Sequence, residues 1–132
     1  GLNSEFHTAS KDLKKETDVY IVDTYGDAPK FYSLTKLTFV GGSLIMHGGQ
    51  NPLEPAREGN FILFGPYIDN FKEVYEMLER LKIAKKVNSI KKIKSIIFKK
   101  INYSENIKVK YKLNHIGEEI INKNILEIKK FI

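Results

Sequence analysis

The stretch GGSLIMHGGQNPLEP, from Gly41 to Pro55, places four glycines and two prolines among fifteen positions, together with a histidine, an asparagine and a glutamate. Asn51-Pro52-Leu53-Glu54 has the grammar of a helix start. Asparagine is a favoured N-cap, proline is pre-shaped for the first helical position, and a glutamate three residues after the cap completes a capping-box-like pair. Gly48-Gly49 just before it can adopt backbone shapes closed to other residues and let a ligand come close. A helix starting there would turn unpaired N–H groups and a partial positive charge outward, which suits a phosphate. The plain alternative is that Glu54 only caps its own helix and the glycines only turn the chain. His47, alone on such a loop, reads more naturally as a turn or packing residue than as a catalyst.

The flanking elements decide where this loop sits. DVYIVDT (Asp18 to Thr24) is a short apolar run ending near Gly26, the pattern of a strand buried on both faces. APKFYSL (Ala28 to Leu34) reads as a short helix, and LTFV (Leu37 to Val40) as a strand closed by Gly41-Gly42. A helix from Pro52 then leads to FILF (Phe61 to Phe64), a strand closed by Gly65-Pro66. From Asn70, NFKEVYEMLERLK places Phe71, Val74, Leu78 and Leu81 at helical spacing, and Ile83 to Val87 reads as a weaker strand. The opening residues GLNSEFHTASKDLKKET read as a polar lead-in. Buried runs alternating with helices predict an α/β fold of successive βα units around a parallel sheet. Ligands of such sheets gather at the carboxyl ends of the strands. Gly26, Gly41-Gly42 and Gly65 would line that one edge, with the Gly41–Pro55 loop at the rim.

The tail changes character. IKKIKSIIFKKI carries Ile90, Ile93, Ile97 and Ile101 on one helical face, and Leu113, Ile116, Ile120, Ile121, Ile125 and Ile128 continue the pattern after a break at Asn102 to Asn106. Residues 1–88 are therefore read as the core and 89–132 as C-terminal helices of the same domain. Charge divides in a similar place. Residues 1–81 hold 8 lysines and arginines against 12 acids, and residues 82–132 hold 14 lysines against 4 glutamates. A lysine-rich half points to an anionic membrane or a nucleic acid, or to a compositional bias toward lysine and isoleucine. The absence of cysteine excludes disulfides and thiolate metal sites. No apolar run approaches the roughly 20 residues of a bilayer span, so a soluble chain is expected. It opens on Gly1 rather than methionine, and a piece of something longer is expected.

Three segments, in this order and at these separations, carry a family resemblance: DVYIVDTYGD, FVGGSLIMHGGQNPLEPA and LFGPYIDNF. Over roughly Asp18 to Leu81 the chain resembles the carboxy-terminal domain of the 3-deoxy-D-manno-octulosonic acid (Kdo) transferases, inverting GT-B glycosyltransferases of lipopolysaccharide synthesis. The resemblance implies a Rossmann-like half of a GT-B enzyme with a helical, lysine-rich tail. It implies a CMP-Kdo donor held in a cleft between two such domains and a lipid A precursor as acceptor. The cytidylate-contacting segments fall on Tyr25, Gly26 and Asp27, and on Asn51, Pro52, Leu53 and Glu54, with Glu54 at the carboxylate position that holds the donor ribose. Two positions depart from the family pattern: Gly26-Asp27-Ala28 stands where Gly-Glu-Leu is usual, and Tyr67 where histidine is common.

The same resemblance assigns the general base, membrane anchor, acceptor site and an upstream Pro-Arg nucleotide segment to chain absent from these 132 residues. No catalytic residue is therefore expected here, and the piece alone should be inactive. The full protein would work at the cytoplasmic face of the bacterial inner membrane. Its donor half would stabilise the departing phosphate with helix N–H groups. No acidic cluster suited to Mg²⁺ is visible, so neither metal nor cofactor is expected. The rivals are a GT-B donor domain for another nucleotide sugar and a non-catalytic nucleotide- or RNA-binding module. The basic tail has few aromatics (Phe98, Tyr103, Tyr111) to stack bases, which makes nucleic acid the weaker reading.

Overall fold

Two sets of parallel strands account for every described β residue. The computed structural model of the chain describes residues 1–9, 14–100, 113 and 115. In chain order the elements are β1 (Ser4–Phe6), β2 (Val19–Ile21), α1 (Ala28–Tyr32), β3 (Leu37–Phe39), α2 (Leu53–Arg57), β4 (Phe61–Phe64), α3 (Lys72–Arg80), β5 (Ala84–Lys86) and α4 (Ile90–Lys100). A 3₁₀ turn, Asp69–Phe71, leads into α3.

The strands β3, β4 and β5 form one parallel sheet with β4 in the middle. Leu37 pairs with Phe61, and Ile62 with Ala84. Parallel neighbours need a crossover, supplied here by α2 and α3, so the unit is βαβαβ and the fold is Rossmann-like. Four apolar residues closed by Gly65-Pro66 make β4 the natural centre, and Ile62, Leu63 and Phe64 are fully buried. Around them lie Val40, Ala56, Ile68, Tyr75, Leu78, Ile83 and Ala84. Leu113, from the tail, is buried in this same core.

The α3 face differs from the expected one by one position. Tyr75 and Leu78 are buried, whereas Phe71, Val74, Met77 and Leu81 pack along the margin. Periodicity in purely apolar residues passes over a tyrosine. Tyr75 is nevertheless the largest fully buried side chain among the described residues, with its ring 4.4 Å from that of Phe64. Its hydroxyl is accommodated because it has a backbone acceptor, described below.

A second correction concerns β2. It pairs in parallel with β1, a strand inside the supposed polar lead-in, and the two form a separate two-stranded sheet among the described residues. Nor is β2 buried on both faces. Tyr20 packs under α1, its ring 5.9 Å from that of Phe31, while Val19 and Ile21 remain partly exposed on the other side. Side chains alternate across a strand, and here only one face has cover. The Gly26 turn therefore closes the β1–β2 sheet, and only Gly41-Gly42 and Gly65 share the edge of the three-stranded sheet.

In α4, Ile93 and Ile97 are half-buried but Ile90 and Phe98 are exposed. Lys91, Lys92, Lys94 and Lys99 are exposed beside them. The expected break at Asn102 to Asn106 and nearly all of the second tail helix lie outside the described residues; Leu113 and His115 are helical. No helix of the described residues is long and apolar enough to cross a membrane.

Candidate functional site

The Gly41–Asn51 loop is latched at several points. As β3 ends, the Ser43 hydroxyl donates to the Val40 carbonyl at 2.6 Å and accepts from the Gly65 N–H at 2.8 Å. The Ser43 carbonyl accepts from the Tyr67 N–H at 3.0 Å. One buried serine thus ties the end of β3 to the end of β4. The approach is so close that a Cβ on Gly65 would lie 2.1 Å from the Ser43 carbonyl oxygen, which is why the position takes glycine.

Further along, the Gly49 N–H donates to the Gly42 carbonyl at 3.0 Å and closes the loop on itself. Gly48 and Gly49 have φ of +85° and +76°, a region where side chains are strained, and both are buried. Asn70 grips this point twice. Its N–H donates to the Gly48 carbonyl at 3.1 Å and its side-chain amide to the His47 carbonyl at 3.3 Å. The Tyr75 hydroxyl donates to the Gln50 carbonyl at 2.8 Å. Burial pushes the Tyr75 phenol up to about 12, so it remains a neutral donor. His47 is exposed, in keeping with a turn residue, and Leu44, Ile45 and Met46 form an exposed apolar tip.

The helix start differs from the expected capping box. The Asn51 side-chain oxygen accepts from the Leu53 N–H at 3.0 Å, an Asx-type turn rather than the expected N-cap. The first residue outside α2 is Pro52, which is buried, and no side-chain cap bond comes from Glu54. A five-residue helix offers only one turn for the reciprocal bond, and Glu54 instead faces solvent. Leu53 is half-buried and Asn51 exposed. In this segment Asn51 and Glu54 present side chains outward, whereas Pro52 sets shape from within.

The other predicted segment is the turn between β2 and α1. Tyr25 is fully exposed, Gly26 has φ of +87°, and Asp27 is half-buried. Asp27 accepts from the Lys30 ammonium and from the Thr24 hydroxyl, each at 2.6 Å, and the first and then the second hold its carboxyl below the usual range. The two segments lead into helices that lie against each other, α1 and α2. The Tyr32 phenol is raised first by burial and then by the nearby Glu54 carboxylate, so charge on α2 is felt on α1. Buried Asn60 strengthens the same junction, accepting from the Thr35 and Thr38 hydroxyls and donating to the Tyr32 carbonyl.

Motif spacing did not single out Ser43, Asn60, Asn70, Tyr75 or His7 and Thr8 in the turn after β1. Thr8 donates to the Asp23 carboxylate through its N–H and its hydroxyl, and His7 lies beside Asp27. Only its place beside a Gly-marked strand end hinted at Ser43. Nothing local signalled the rest. Among the described residues, no group of three His, Asp or Glu side chains is placed to hold a metal ion.

Parallel βαβ units with polar loops at the strand ends define an α/β domain of Rossmann-like type. No family model matches the chain. It is related to the 3-deoxy-D-manno-octulosonic acid transferases. It is 37% identical to that of Haemophilus influenzae over 75 residues, covering 57% of this chain and 18% of that protein. It is 30% identical to that of Aquifex aeolicus over 101 residues, covering 76% of this chain and 29% of that protein. The chain thus spans less than a third of the length of these relatives. Its fold is that of the C-terminal CMP-Kdo binding domain of WaaA from Acinetobacter baumannii. The TM-score is 0.76 at 21% identity, over 87% of this chain and 61% of that one.

Proposed function

We propose that this chain is the donor-binding part of a Kdo transferase and that it holds the cytidylate of CMP-Kdo. The observation that carries the reading is the Gly41–Glu54 rim loop. The longest of the three segments that bear the family resemblance is fastened by Ser43, Asn70 and Tyr75 at the carboxyl ends of β3 and β4. Ligands of open parallel sheets bind at that edge. Relatedness to named Kdo transferases supports this donor over other nucleotide sugars.

In this reading Glu54 accepts the ribose hydroxyls, a task for which an exposed carboxylate without a capping bond is suited. Asn51 fixes the loop that presents it. Tyr25, Gly26 and Asp27 form the second contact, with Leu53 and buried Pro52 shaping the first. The reaction is attack by an acceptor hydroxyl on the anomeric carbon of Kdo, with CMP leaving. The base and the lipid A precursor site belong to a second domain, whose face would cover the exposed Leu44-Ile45-Met46 tip. The exposed lysines of α4 then face an anionic membrane, the cytoplasmic leaflet of the inner membrane.

Calorimetric titration of the chain with CMP and with UMP tests the donor class. CMP should bind with a dissociation constant in roughly the millimolar range, since one wall of the cleft is missing, and UMP should bind more weakly. Equal binding of both would favour a donor domain for another nucleotide sugar.

A further inference from the structure

We propose that His7 is a positioning residue of the nucleotide rim: the charge on its imidazole sets how firmly the Tyr25-Gly26-Asp27 turn receives an anionic ligand. The proposal rests on the nucleotide-binding reading above and adds to it a residue from the turn after β1.

Because β1 and β2 run parallel, their carboxyl ends lie together. The His7 N–H donates to the Ile21 carbonyl at 2.8 Å, and Thr8 donates its N–H to Asp23 at 3.1 Å. The turn after β1 is therefore tied to the turn after β2. The imidazole is fixed from three sides. Nδ1 shares a 2.8 Å hydrogen bond with the Tyr20 hydroxyl, and the ring stands edge-on to Tyr20 and Phe31, with centroids 5.8 and 5.4 Å away. This leaves Nε2 3.9 Å from Asp27 Oδ2.

Asp27 is the brace of the turn. It bonds Thr24 on one side of Gly26 and Lys30 on the other. Among the described residues, the titratable groups facing His7 are Tyr20 from β2 and Asp23 and Asp27 from the β2–α1 turn, with Lys30 of α1 reached through Asp27. With a neutral imidazole, the described charged groups at this turn are two carboxylates and one ammonium. An imidazolium removes that excess.

The His7–Tyr20 contact accommodates both charge states by a turn of the tyrosine hydroxyl. A neutral ring can accept from the Tyr20 hydroxyl at Nδ1 and keep its proton on Nε2, toward Asp27. A protonated ring donates at both nitrogens, and the tyrosine oxygen accepts instead. A charge gained beside the turn that contacts the anionic nucleotide, in a partly screened setting, should strengthen binding by a few-fold to about tenfold.

The test uses the ¹⁵N-labelled chain and its His7→Gln variant between about pH 5 and 8, the range in which histidine is the usual titrating side chain. In the parent chain the Tyr25, Gly26 and Asp27 amides should shift in step with the His7 ring resonances, and in His7→Gln they should be flat. The ratio of CMP dissociation constants, variant over parent, should rise from near one at pH 8 to several-fold at low pH. Taking the ratio cancels the second ionisation of the phosphate, near pH 6. Asp27→Asn, which removes the carboxylate facing His7, should abolish the amide titration as well. Amides indifferent to His7 protonation, or a ratio constant with pH, would overturn the proposal. Failure of the parent chain to bind CMP at any pH would instead overturn the nucleotide reading and the ligand half of this proposal. The amide titration decides the positioning half by itself.

Discussion

The hydroxyl of Tyr75, buried in α3, donates to the backbone carbonyl of Gln50, 2.8 Å away and one residue before Asn51. A core side chain therefore fixes the point from which the Asn51-Pro52-Leu53-Glu54 segment departs. Removing the hydroxyl should loosen the rim without opening the core. Tyr75→Phe is expected to cost about 0.5–1.5 kcal/mol, the ordinary net worth of one such bond, and to weaken CMP binding as well. Thermal melts and a CMP titration of the variant check both effects.

The same tyrosine predicts a feature at high pH. Its phenol is pushed up to about 12 by burial, against about 10 when unfolded. A pKa raised by folding contributes stability that is complete below the unfolded value and lost as pH rises through the folded one. Stability should therefore fall between about pH 10 and 12 more steeply in the parent chain than in Tyr75→Phe. Chemical denaturation across that window gives the comparison, and parallel slopes would contradict the assignment.

Two glycines should behave oppositely. Gly65→Ala places a methyl 2.1 Å from the Ser43 carbonyl oxygen, a backbone atom that can move only if the β3 and β4 ends separate. Roughly 3 kcal/mol or more of destabilisation is expected, at or beyond the upper end for overpacking. Gly41→Ala meets nothing within 4 Å and should stay within about 0.5 kcal/mol of the parent. Melting both variants tests whether the strand ends are joined as described.

How much of this was legible beforehand depended on how local each signal was. FILF followed by Gly-Pro announces a buried strand from its own residues, and β4 is Phe61–Phe64. The short β1 has no such signature, since Ser4-Glu5-Phe6 offers neither an apolar run nor alternation around a turn. It exists because the Asn3 carbonyl accepts from Asp18 and Val19 and the His7 N–H reaches Ile21, bonds across more than a dozen residues. The rim was legible as a glycine-rich loop before a helix. Its fastening by Asn70 and Tyr75 was not, because both lie in the next βα unit. The capping box failed for a geometric reason: α2 begins after Pro52, so Asn51 turns the chain onto the Leu53 N–H from outside the helix and Glu54 is left outward.

That outward glutamate separates turn from contact. Asn51→Ala should cost about 1 kcal/mol of stability through the lost hydrogen bond to the Leu53 N–H. Glu54→Gln, with no capping bond to lose, should stay within about 0.5 kcal/mol of the parent. In a full-length enzyme carrying this domain, it should still raise the donor KM strongly. A destabilised Glu54→Gln with unchanged donor kinetics would reverse the two roles.

The lysines of α4 give a surface test. Lys91, Lys92, Lys94 and Lys99 are exposed, and each could add about 1 kcal/mol near an anionic leaflet. The chain should co-sediment with vesicles containing phosphatidylglycerol and remain free of neutral ones, with binding lost as salt is raised. Equal, negligible sedimentation with both would leave the charge as composition alone.

Mapping CMP onto the labelled chain by amide shifts tests the central claim most directly. If the rim holds the cytidylate, Gly26, Asp27, Asn51, Leu53 and Glu54 should move first and together, along one saturation curve, and Glu54→Gln should weaken that curve without unfolding the chain. Shifts confined to the lysines of α4, with the Gly41–Glu54 loop unmoved, would show that the phosphate merely finds positive charge and would contradict the donor-binding account.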